Sequence, residues 1–136
     1  MGFHMYGNAS LGWGFTQGDI TKPGPTIQVN QGDTVNLTLA SVDGSPHQFF
    51  VDYNNNTLVD AGEPASPQFS GGTSIVYSFV ADTLGNFTYR CAIHPTVMFG
   101  NFKVLAPVPE FPGLVVGPLF VVLSLLAVVL LKRRRA

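Results

Sequence analysis

Apolar and polar side chains alternate with a period of two through much of the first 105 residues, and this limits the possible fold more than any other feature of the chain. Val35, Leu37 and Leu39 alternate with Asn36, Thr38 and Ala40. Ile75, Tyr77, Phe79 and Ala81 mark a second apolar face, Phe87, Tyr89 and Cys91 a third, and Phe102 and Val104 a fourth. Successive side chains of a strand point to opposite sides, so this period predicts half-buried β-strands. Turn-forming groups separate the runs: Pro23-Gly24-Pro25, Gln31-Gly32-Asp33, Asp43-Gly44-Ser45-Pro46, Gly71-Gly72 and Leu84-Gly85-Asn86. No stretch before residue 110 keeps a helical period. Short strands and frequent turns over residues 1–105 predict a single all-β domain, a sandwich or small barrel with one core.

Beyond that domain the composition changes. Residues 106–113, APVPEFPG, hold three prolines and predict a stiff extended spacer, roughly 25 Å long at about 3.1 Å per residue. Residues 114–131, LVVGPLFVVLSLLAVVLL, carry no charge. As a helix they reach roughly 27 Å, about the thickness of a bilayer core, and predict one transmembrane helix. The basic cluster in residues 132–136 then lies in the cytoplasm, which places the β domain on the extracytoplasmic face of the cell membrane. Four N-x-S/T triplets, at Asn8, Asn36, Asn55 and Asn86, fit export. MGFHMYGNAS lacks a basic and apolar leader, so the signal is expected upstream of Met1 or already removed. Pro109-Glu110-Phe111 followed by an apolar span and arginines also resembles an archaeal PEF-type sorting signal. That resemblance implies cleavage and transfer to a lipid anchor, an alternative of equal standing to a permanent helix.

Charge narrows the partners. Residues 1–105 contain three basic and seven acidic side chains, a net −4. This balance argues against nucleic acid and for a basic docking partner.

The chemistry concentrates in Tyr89-Arg90-Cys91-Ala92-Ile93-His94-Pro95-Thr96-Val97-Met98-Phe99-Gly100, which holds the single cysteine. A lone cysteine has no internal disulfide partner. Here it ends a strand-like run, and His94 and Met98 follow within one short loop. His47, after a Gly-Ser-Pro turn, offers a second imidazole. Thiolate, two imidazoles and a thioether are the donors of a blue copper electron-transfer site, with methionine as the weak axial ligand. His4, the remaining histidine, reads as a surface side chain near the first strand.

PGPTIQVNQGDTVNLTL, PHQFFVDY and LGNFTYRCAIHPTVMFGNFKV resemble the cupredoxin family, plastocyanin- and amicyanin-like blue copper proteins, over roughly residues 12–105. The resemblance implies an eight-stranded Greek-key β-sandwich holding one mononuclear copper through His47, Cys91, His94 and Met98. Gly100 and Val104 match the family too and put Met98 in the axial slot. Three residues separate His94 from Met98, against two in amicyanin-like and four in plastocyanin-like loops. Gln48 stands where plastocyanin-like proteins often carry Asn, which leaves open how the two ligand segments are tied together.

The expected function is a single-electron Cu(II)/Cu(I) shuttle between redox proteins, without enzymatic turnover. A multicopper oxidase or nitrite reductase needs more histidines than His4, His47 and His94 supply. A binuclear thiolate-bridged centre needs a second cysteine. A copper delivery or storage protein is the alternative. Pro46, Pro95, Val97 and Phe99 are the expected apolar docking surface around His94. Asp52, Asn54, Asn56, Asp60 and Glu63 fall in the register of a calcium loop. Thr57 stands where such a loop wants glycine and no helices flank it, so a solvated polar loop is the expectation.

Overall fold

The structure, a computed structural model, describes residues 1–109. The transmembrane helix and basic tail expected at residues 114–131 and 132–136, and the sorting signal, lie outside the described residues. Eight strands form: β1 (Gly2–Asn8), β2 (Gly12–Gly14), β3 (Ile27–Asn30), β4 (Thr34–Ser41), β5 (Phe49–Asp52), β6 (Ile75–Val80), β7 (Gly85–Cys91) and β8 (Phe99–Leu105). They build two four-stranded sheets, in the orders β2-β1-β4-β6 and β3-β8-β7-β5. The chain passes from one sheet to the other at every connection from β2 to β7, so the sandwich is stitched along its length. The expected all-β sandwich is the fold observed.

The alternating segments behave as their period requires. Val35, Leu37 and Leu39 of β4 are fully buried, and they face the layer of Tyr89, Cys91, Phe102 and Val104 from β7 and β8 within one core. Trp13, Phe49 and Tyr89 pack at its centre, with the Trp13 and Phe49 ring centroids 5.9 Å apart and Phe49 and Tyr89 5.4 Å apart. Burial pushes the Tyr89 phenol above its ordinary range. Its O–H donates to the Pro25 carbonyl at 2.6 Å, so the phenol is not left unpaired.

Three strands carry weaker signals. β5, Phe-Phe-Val-Asp, is buried at all four positions. It is an edge strand, but residues 64–69 cover it: Val51 donates its N–H to the Pro64 carbonyl at 2.9 Å, and Ser66 donates its N–H to the Phe49 carbonyl at 2.8 Å. β2 is three residues long, and its Trp13 is bridged to Thr21. β1 runs parallel to β4 and places His4 beside Thr38 with its side chain exposed. Among the described residues there is no helix.

The topology brings three connections to one end of the sandwich. These are the β1–β2 turn, the β4–β5 segment and the β7–β8 loop. Ala9 of the first donates its N–H to the Asp43 carboxylate of the second at 2.7 Å. Ala92 of the third donates its N–H to the Gln48 carbonyl of the second at 2.9 Å.

Candidate metal centre

His47 enters just before β5, in a short antiparallel bridge to Phe69. Its N–H reaches the Phe69 carbonyl at 2.8 Å, and the reciprocal bond is 2.9 Å. Its side chain is fully buried. Phe69 and Trp13 flank the imidazole, with ring centroids 5.9 and 6.3 Å away. Cys91 ends β7, where strand alternation turns the thiol inward, and it too is buried. The chain then tightens into turns: the N–H groups of Val97 and Met98 both donate to the His94 carbonyl, at 3.3 and 2.9 Å. Cys91 closes the loop by donating its N–H to the Met98 carbonyl at 2.9 Å. The result is a compact loop that returns His94 and Met98 toward the cysteine.

His47, Cys91 and His94 converge, with their ligand atoms all within 4.8 Å of one another. Cys91 Sγ lies 3.8 Å from Nδ1 of His47 and 3.8 Å from Nδ1 of His94. Metal–nitrogen bonds of about 2.0 Å and metal–sulfur bonds of about 2.3 Å, set 120° apart, separate N from S by about 3.7 Å. The trio is therefore spaced for one ion in a trigonal plane. Met98 is fully buried. The position a Cβ would take on Gly7 is 2.7 Å from Met98 Cε and 3.3 Å from His47 Cδ2, so only glycine at residue 7 leaves room for both. One thiolate and two imidazoles, with a thioether alongside, suit a single copper ion, whereas structural zinc sites close with four Cys or His ligands.

Surrounding hydrogen bonds fix the donors. Gln48 N–H points at Cys91 Sγ at 3.5 Å. The Gln48 side chain turns away and donates from Nε2 to the Ser66 carbonyl at 2.9 Å. The backbone of Gln48, through its N–H and its carbonyl, and not its side chain, ties the two ligand segments together. His47 Nε2 lies 2.9 Å from Asp43 Oδ1. Partial burial alone raises the Asp43 carboxyl, but bonds from Ala9 N–H, the His47 ring, Ser41 and Ser45 outweigh it and hold the group well below the usual carboxylate range.

The sequence did not single out two side chains that brace this end. Asp43 reads only as a turn residue. Arg90 reads only as one residue of the stretch that holds Cys91. Its guanidinium bonds Asp52 at 2.8 Å, the Pro95 carbonyl at 2.9 Å and Asn55 Oδ1 at 2.6 Å. Asp52 is thereby neutralised in a buried position. In the rest of the 52–63 loop, Asp60 accepts from the amides of Asn54 and Asn56, and Glu63 accepts from the N–H groups of Tyr53 and Asp60. These carboxylates accept from the loop's own donors. His4 lies outside the cluster.

No family model matches the chain. A copper-containing nitrite reductase from Pseudomonas chlororaphis is 38% identical over 74 residues, which are 53% of this chain and 20% of that protein. Auracyanin A, a "blue" copper protein of Chloroflexus aurantiacus, superposes with a TM-score of 0.61 at 16% identity, covering 76% of this chain and 98% of auracyanin. A blue copper oxidase from Nitrosomonas europaea superposes with a TM-score of 0.58 at 19% identity, covering 80% of this chain and 40% of the oxidase. The chain thus spans a fifth of the reductase and two fifths of the oxidase. At these identities the structural likeness establishes the fold, a cupredoxin sandwich.

Proposed function

We propose that the domain is a single-electron carrier, with His47, Cys91, His94 and Met98 as ligands of one copper ion. The convergence of two imidazoles on one thiolate, with the thioether packed alongside, carries this reading. Bound copper supplies a one-electron Cu(II)/Cu(I) couple. The chain's own part is to hold the donors still: His47 through Phe69 and Asp43, Cys91 at the end of a central strand, and His94 and Met98 by the turns of their loop. Of the four, only His94 reaches the surface; His47, Cys91 and Met98 are buried. Electrons therefore enter and leave through the His94 ring edge, where half-buried Pro95, Val97 and Phe99 and exposed Pro46 form an apolar contact surface for a redox protein.

The reading is a carrier and not an enzyme. Two of the chain's three histidines serve the proposed mononuclear site, and the third, His4, lies outside the cluster, which supports a single copper centre and a carrier's role. The nitrite reductase and oxidase similarities cover a fraction of those proteins and fit a shared domain. The apolar run at residues 114–131 and the basic residues after it support placing the domain on the outer face of a membrane, between a donor and an acceptor protein.

Visible and electron paramagnetic resonance spectra of copper-loaded protein, followed by a redox titration, test the proposal. An intense thiolate charge-transfer band that bleaches and returns reversibly is expected. Tight Cu(I) binding with no such band would move the assignment to copper delivery or storage.

A further inference from the structure

We infer that Asp43 is a positioning residue for the metal centre: its carboxylate fixes the tautomer of His47 and strengthens that imidazole as a donor, lowering the reduction potential. The inference rests on the copper reading above but makes a separate claim.

The geometry is specific. Asp43 Oδ1 receives the His47 ring nitrogen at 2.9 Å, the Ser41 hydroxyl at 3.0 Å and the Ser45 N–H at 3.1 Å. Oδ2 receives the Ala9 N–H at 2.7 Å. Two of these four donors come from the β4–β5 segment, one from the last residue of β4 and one from the β1–β2 turn, so strand and connections together hold the carboxylate in place. A carboxylate accepts hydrogen bonds and cannot donate them. His47 Nε2 must therefore carry the hydrogen, which leaves the Nδ1 lone pair free on the side facing Cys91 Sγ. The ring is set in its ligating tautomer before any metal arrives.

His94 differs. Among the described residues no side chain or backbone group pairs with its Nε2. The one hydrogen-bond contact of its ring among the described residues is Nδ1 to Cys91 Sγ.

A ring N–H donated to an anion raises electron density across the imidazole, which makes Nδ1 a stronger donor. Stronger donation and the nearby negative charge both favour the more highly charged oxidation state. Asp43→Asn keeps the shape and removes the charge. A neutral amide can still accept from Nε2, but its NH2 faces the Ala9 N–H.

Two measurements test this. In metal-free protein at alkaline pH, nitrogen-15 NMR of His47 should show the Nε2–H tautomer alone; an Nδ1–H tautomer overturns the inference without any variant being made. In copper-loaded Asp43→Asn, the ratio of Cu(II) to Cu(I) affinity should fall about tenfold, a rise in potential of about 59 mV for one electron. An unchanged or lower potential with the blue band intact also overturns it. If wild-type protein never develops the band, the electron-carrier proposal fails, and the tautomer result still decides this one.

Discussion

The two segments that supply the donors are built in opposite ways. His47 sits in a segment pinned by its neighbours: bridged to Phe69, walled by Trp13 and anchored at its ring by Asp43. His94 sits in a loop held by its own turns, by the bond from Arg90 to the Pro95 carbonyl and by the bond from Ala92 N–H to the Gln48 carbonyl. The first segment fixes one imidazole with the stiffness of the core. The second leaves its imidazole reachable from solvent and still ends at two buried sulfurs, Cys91 and Met98. A redox site needs both properties, since a rigid ligand cage limits rearrangement and an exposed ligand edge gives a partner access.

The sharpest way to break this comparison is to remove the donor the two segments share. Cys91→Ser should abolish the blue absorption band completely, read by a visible spectrum after copper loading. Next in size, Arg90→Ala cuts one brace of the 91–98 loop and leaves Asp52 as an uncompensated buried charge. Breaking such a pair costs about 3–5 kcal/mol, to be measured by chemical denaturation. A loss of under about 1 kcal/mol would show that the loop holds without Arg90. Gly7→Ala probes the pinned side. A new methyl 2.7 Å from Met98 Cε must displace that flexible end, at a cost of about 1–3 kcal/mol. The charge-transfer band should shift in position without disappearing. The smallest structural effect is expected from Val97→Asp on the exposed loop. Its spectrum should match wild type while electron exchange with a partner slows at least several-fold; unchanged exchange would move the docking surface elsewhere.

Much of this was legible in the sequence where side chains alternate. Val35, Leu37 and Leu39 announce β4 because one face of that strand meets the core and the other meets water. β5 gives no such sign because residues 64–69 lie over its edge and bury every position. The cluster of His47, Cys91 and His94 was readable because its residue types are rare in this chain and two of them share one loop. Asp43 and Arg90 were not, because a turn aspartate and a strand arginine take their meaning from atoms distant in sequence: Ala9 for one, Asp52 and Pro95 for the other. The Gln48 side chain is a related case, since its route to Ser66 depends on the covering segment.

That covering segment has a consequence for how copies of the protein meet. An uncovered edge strand presents a row of free N–H and C=O groups and invites another chain to add a strand. On β5, Phe49 and Val51 spend those groups on Ser66 and Pro64. The sheet margin that adjoins the ligand segments is thus closed to self-templating, and encounters at that end of the molecule are left to side chains.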